Sequence, residues 1–136
     1  MFFVIKAEVD RPSAEEFMFN DQKTMYDGKR IAVGDTVFIF ASENEGGSGL
    51  VAKGQVISAE STPKKAGSAR QAPRVSVAVR RTAEVKVNLG RIELKRHSEW
   101  NDGRPETELN FKLYRQATNK IAGISDEAAA FLGGFF

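Results

Sequence analysis

The run from Arg74 to Val87, RVSVAVRRTAEVKV, alternates apolar and polar residues. Val75, Val77 and Val79 fall on one side, and Ser76, Ala78 and Arg80 on the other. That is the period of a long strand with one face buried. Such a strand needs partners, and the sequence offers several. TVFIFAS, launched by a VGD turn, and LVAKGQVISAE, with Gly54 as a bulge position, flank the loop ENEGGSG and predict a hairpin. FFVIKAEV predicts a first strand buried on both faces. ELNFKLYRQ alternates Leu109, Phe111 and Leu113 against Asn110, Lys112 and Tyr114 and predicts another strand, and GRIELKRHSEW a further one.

Two stretches carry helix signals. In RPSAEEFMFND, Ser13 can cap and Glu15 and Glu16 suit a first turn, which predicts a short N-terminal helix. Near the other end Ser125 caps, Asp126 and Glu127 follow, and AAAFL continues the helix. Asp27-Gly28 marks a turn. With 136 residues and 41% hydrophobic content the chain can bury a real core, and no linker divides it. The expectation is one domain, 1–136, of the α+β class: a small, mostly antiparallel β-barrel with a short N-terminal helix and a C-terminal helix.

There are no cysteines, so disulfides, cysteine-based zinc sites and cysteine catalysis are excluded. No cofactor or metal motif is present: neither a phosphate-binding P-loop nor a dinucleotide fingerprint. No stretch approaches the ~18 apolar residues of a membrane span. MFFVIKAEVD lacks the basic start and long apolar run of a signal peptide. A cytoplasmic protein without membrane partners is expected. Net charge is only +2. Yet Lys64, Lys65, Arg70, Arg74, Arg80, Arg81, Lys86, Arg91, Lys95 and Arg96 gather in one segment, opposed there by Glu84 and Glu93. This is either a face for a polyanion or a solvated face balanced by the acidic ends.

The pieces IAVGDTVFIFAS, GLVAKGQV, YDGKR and LYRQATNKIAGIS occur in an order that resembles the EVE domains of the PUA-like superfamily. YDGKR resembles that family's Trp-Asp-Gly-Val-Arg segment, with Tyr26 in place of tryptophan and Lys29 in place of valine. The stretch between DGKR and VGD is shorter than in the family and lacks its helix. The resemblance runs from about Phe2 to Leu132 and implies a relative of EVE domains with a PUA-like barrel. It also implies a non-enzymatic module that binds DNA or RNA and holds one modified base in a pocket at the side of the barrel.

A base reader needs flat apolar faces, edge donors and acceptors, and cations for phosphates. Tyr26 and Trp100 sit beside turns, where an aromatic residue either stacks on a base or anchors a loop. Asp27 and Ser42 can contact a base edge, or shape a turn and end a strand. Gly49, Leu50 and the small residues up to Ala52 let a planar ligand approach, or close the hairpin loop. Arg115, Gln116, Asn119 and Lys120 form a polar run before the last helix. It either lines a site, with Gln116 at a base edge and Arg115, Asn119 and Lys120 at phosphates, or ends a strand. Lys64, Lys65, Arg70 and Arg74 would then grip the backbone.

Two other classes stand beside this one. FLGGFF leaves Phe135 and Phe136 at the terminus, where they pack on the barrel or on a partner, as in a homodimer or a protein–protein module. A small hydrolase would use Glu106 and Glu108. His97, the only histidine, excludes a histidine triad or cluster of histidine ligands.

Overall fold

A computed structural model describes residues 1–62, 73–116 and 118–136; Lys64, Lys65 and Arg70 lie outside the described residues. The strands are β1 (Phe2–Ala7), β2 (Glu16–Gln22), β3 (Thr24–Met25), β4 (Thr36–Ala41), β5 (Gly49–Thr62), β6 (Arg74–Glu84) and β7 (Lys120–Ile124). The helices are α1 (Arg91–Leu94), α2 (Pro105–Leu113) and α3 (Asp126–Gly133). The strands form one sheet in the order β2-β6-β5-β4-β1-β7-β3. The pairings β1–β7, β2–β6, β4–β5 and β5–β6 are antiparallel, whereas β1–β4 and β3–β7 are parallel. The sheet is therefore mixed.

Its two edge strands, β2 and β3, are separated in the chain only by Lys23. The Ile121 N–H donates to the Lys23 carbonyl at 2.8 Å, and Thr24 Oγ1 donates to the Pro73 carbonyl at 2.8 Å. The chain thus bends across the gap and nearly closes the sheet into a barrel. Alternation sorts the side chains. Phe3, Ile5, Phe17, Phe19, Val37, Ile39, Val75, Val77, Val79 and Ile121 fill the interior. Val4, Phe38, Phe40 and Ala122 face outward under Leu94, Leu109, Leu113 and Leu132 of the helices. β1 is buried on both faces for this reason, as its weak alternation predicts.

Three expected elements differ. The N-terminal helix is instead β2: Phe17 and Phe19 point inward at a spacing of two and pair with Val79 and Val77 of β6. The cap signals at Ser13 lose to sheet pairing, which buries both rings. The strand expected over Glu108–Gln116 is instead the helix α2 and the loop after it. Leu109 and Leu113, four residues apart, share its buried face. Pro105 in the first turn with Glu106 and Glu108 is the start signal that outweighs the alternation. GRIELKRHSEW contributes the short helix α1, where Glu93 accepts the Gly90 N–H. β7 was hidden in the polar run before Ser125; it is a short, nearly buried strand between β1 and β3.

The remaining expectations hold locally. β4 and β5 pair as the hairpin, and a register shift at Gly54 falls in the pairing of β5 with β6. Ser125 Oγ accepts the Ala128 N–H at 3.1 Å and caps α3. Between β3 and β4 the chain makes a single 3₁₀ turn, Gly28–Arg30, and no α-helix. Gly28 there lies so close to β7 that a Cβ would fall 2.1 Å from the Ile121 carbonyl oxygen. Phe136 folds onto Phe38, centroids 5.9 Å apart, and Phe131 meets Phe135 edge-on at 5.2 Å. The terminal rings thus pack on their own barrel.

Candidate functional site

One mouth of the barrel is ringed by strand ends: the end of β2, the end of β4, and the starts of β6 and β7. A cleft of about 340 Å³ opens there, lined by Asp21, Gln22, Lys23, Ser42, Asn44, Glu45, Arg74, Thr118 and Asn119. Its groups hold one another in place. Arg74 Nη1 donates to the Asp21 carbonyl at 3.0 Å, and Asp21 Oδ1 accepts from Thr62 Oγ1 at 2.6 Å. Asn119 Nδ2 donates to Glu45 Oε1 at 3.0 Å.

Ser42 stands apart from this network. Its N–H donates to the Ala7 carbonyl at 2.8 Å, and its own carbonyl accepts from Glu45 and Gly47. Its side chain is 1% exposed, yet Oγ has no hydrogen-bond partner among the described residues. A buried unpaired hydroxyl costs about 1–3 kcal/mol. Asn110 Oδ1, inside α2, is the other such oxygen among the described residues.

Beside the mouth lie two buried lysines. Lys6 of β1 and Lys120 of β7 are register partners across the antiparallel pair. Lys6 Nζ donates to the Leu113 carbonyl at 2.8 Å, and Lys120 Nζ to the Gln116 carbonyl at 3.0 Å. Both ammonium groups therefore satisfy carbonyls at the C-terminal end of α2 and in the loop that follows, where the helix dipole favours cations. Burial lowers the pKa of Lys6, and the Glu43 charge pushes it back up. Burial lowers Lys120 to about 8, and repulsion from Lys6 and Lys23 adds to the effect. Lys120 is thus a structural cation under a loop and not an exposed phosphate contact, which corrects its expected role.

The same loop is tied to the β4 end. Tyr114 Oη donates to Glu43, at 3.1 Å from each carboxylate oxygen, and Glu43 Oε2 also accepts the Arg91 N–H at 2.7 Å. Burial and the Glu43 charge raise the Tyr114 pKa.

The expected aromatic residues gather elsewhere, on α2. Phe111 packs against Tyr26 at 5.9 Å and against Trp100, edge-on, at 5.5 Å. The Arg115 guanidinium lies 4.8 Å from the Phe111 ring and 5.5 Å from the Trp100 ring. A second cleft of about 300 Å³ opens between Trp100, Gly103, Arg104, Thr107, Glu108 and Phe111. Tyr26 has φ 50, a left-handed backbone costing about 1–2 kcal/mol in a residue with Cβ. It is held by its carbonyl, which accepts the Gly123 N–H at 3.0 Å, and by its ring between Phe111 and Lys112. Tyr26 therefore anchors its turn to α2.

The other expected residues are dispersed. Asp27 is exposed on that turn, with φ 66. Gly49, with φ 88, packs so tightly on the Leu89–Gly90 backbone that a Cβ would sit 2.4 Å from the Leu89 oxygen; it joins two segments and does not line the mouth. Leu50 belongs to the outer core. Gln116 is exposed and its carbonyl serves Lys120. Of the expected residues, Ser42, Asn119 and Arg74 meet in the mouth, while Tyr26, Trp100 and Arg115 meet at Phe111. Glu108 is engaged structurally: its carboxylate accepts Lys112 Nζ at 3.0 Å, the Ser125 N–H at 2.8 Å and Ser125 Oγ. Burial pushes its pKa up, but these donors outweigh that and hold it below the ordinary value.

Sequence reasoning missed Asp21, Gln22, Lys23, Asn44 and Glu45 at the mouth. Their signal was position: each lies within four residues of a strand end, where neighbouring strands bring polar groups together. Among the described residues no helix is long and apolar enough to cross a membrane.

No protein-family model matches the sequence, and no curated protein matches it. Solved structures do match in shape. The DUF55 domain of human thymocyte nuclear protein 1 is 12% identical, with TM-score 0.62 over 97% of this chain and 96% of that one. Human THYN1 protein in complex with 5-methylcytosine-containing DNA is 14% identical, with TM-score 0.63 over 96% of this chain and 94% of that one. A protein from Pseudomonas putida is 15% identical, with TM-score 0.63 over 99% of both chains. The chain therefore has the fold of these PUA-like, EVE-type structures, as the residue pattern implied.

Proposed function

We propose that this chain is a nucleic-acid-binding module that seats a single base, in a modified form, in the cleft at the barrel mouth. The observation that carries the reading is Ser42, a buried hydroxyl left without a partner at a polar cleft. Such a group is costly unless a ligand completes it. A cleft of about 340 Å³ falls within the range of small-ligand sites, ~300–1,000 Å³. Lys23 and Arg74 at the mouth, with Lys6 and Lys120 buried beside it, supply cations for phosphates next to the Asp21 and Glu45 carboxylates. The shared fold with a protein solved on 5-methylcytosine DNA supports the same ligand class.

In this reading Ser42 and Asn119 contact the base edge, and Lys23 and Arg74 meet the flanking phosphates. The chain binds and does not catalyse, and its compartment is the cytoplasm. Glu108, one of the two carboxylates a hydrolase would use, is occupied by Lys112 and Ser125.

The test is fluorescence polarisation with short DNA and RNA strands, unmodified and carrying 5-methylcytosine or a methylated adenine, at two salt concentrations. The expected result is a preference for one modified strand, affinity that falls with salt, and roughly tenfold weaker binding by Ser42→Ala. A folded protein that binds no strand at low salt would refute the reading.

A further inference from the structure

We infer that the cleft between Trp100 and α2 is a second nucleotide subsite, which stacks a base flanking the one held at the mouth. The inference rests on the nucleic-acid reading above and adds a second contact surface to it.

Trp100 is 43% exposed although its edge packs on Phe111. Together the two rings form an aromatic wall to a cleft of about 300 Å³. Arg104 lines that cleft, and Arg115 lies over both rings. Among the described residues neither guanidinium meets a carboxylate in an ion pair. The one carboxylate lining the cleft, Glu108, is neutralised by Lys112 at 3.0 Å. An aromatic face flanked by unpaired guanidinium groups suits a planar base joined to a phosphate.

Reach decides which base. Arg115 touches the Trp100 ring, and Asn119 lines the mouth. Four residue steps separate them, so their Cα atoms lie within about 14 Å even if the loop is fully extended. In this proposal the strand follows that loop from the mouth and lays a flanking base on Trp100.

Trp100 is the only tryptophan, so its fluorescence reports this site alone. The probe is a labelled single-stranded pentanucleotide with central 5-methylcytosine. A second version keeps that base and is abasic at every other position. The expected result is quenching of Trp100 emission by the full strand, with the midpoint seen by polarisation. Trp100→Leu should bind the full strand about tenfold or more weakly. Removing the flanking bases should cost the wild type a similar factor and Trp100→Leu almost nothing. If the full strand binds while Trp100 emission stays unchanged and Trp100→Leu binds normally, the second subsite is wrong and the mouth reading survives. If the folded wild type binds neither strand, both fall.

Discussion

The barrel mouth takes its lining from four separated segments: Asp21–Lys23, Ser42–Glu45, Arg74 and Thr118–Asn119. The aromatic cleft takes its lining from the single stretch between Trp100 and Phe111. The mouth exists only because the barrel closes and gathers strand ends. The aromatic cleft needs one helix, the turn before it, and a face to rest on. The first is rich in hydrogen bonds with one hydroxyl left over; the second is mostly ring surface with cations beside it. Precise edge recognition suits the first, and tolerant stacking the second.

The largest test breaks both regions at once. Gly28→Ala drives a Cβ into the Ile121 carbonyl and separates the Tyr26 turn from β7. A loss of about 3 kcal/mol is expected in urea unfolding, at the upper end for overpacking. A near-neutral result would mean that barrel closure does not depend on this contact.

A smaller effect should loosen the mouth while sparing Trp100. Tyr114→Phe removes the hydroxyl that holds Glu43, the residue next to Ser42. We expect about 2 kcal/mol of destabilisation, as for a hydrogen bond to a charged group. Trp100 emission in the free protein should stay unchanged; a clear shift would show that the two regions are one unit.

Ser42→Ala sharpens the contrast further. Removing an unpaired buried hydroxyl should leave stability unchanged or raise it by up to about 1 kcal/mol, even as ligand affinity falls. Marked destabilisation in thermal melts would show that the hydroxyl serves the fold.

A pH test concerns the loop joining the regions. Folded Lys120 titrates near 8, below the ordinary lysine value of 10.5. Between those values the unfolded chain holds a proton that the folded chain has released. The contribution of Lys120 to stability therefore grows as pH rises from about 8 toward 10.5. The melting temperature of the wild type relative to Lys120→Met should climb by a few degrees between pH 7 and pH 9.5. A falling difference would contradict the burial of this ammonium.

Much of the barrel was legible along the chain. The alternation of Val75, Val77 and Val79 and the hairpin around ENEGGSG report local period and turn chemistry, which sequence displays directly. Ser125 before Asp126 displayed its cap in the same way. Phe17 and Phe19 were misread because cap signals near Ser13 are local, whereas their pairing with β6 joins residues some sixty positions apart. Leu109, Phe111 and Leu113 fit both a strand and a helix, and the choice depended on a flat outer face of β1 and β7 to pack against.

The sequence alone determined that this would be a β-rich barrel with a capped C-terminal helix and no cysteine chemistry, because those properties follow from periodicity, caps and composition. Tertiary structure alone decided that Ser42 would meet Asn119 and Arg74, that Trp100 and Arg115 would meet over Phe111, and that Lys6 and Lys120 would be buried under a loop. The physical reason is closure. Bending the sheet until β2 and β3 are bridged through Lys23 sets which strand ends become neighbours, and no local pattern encodes that distance.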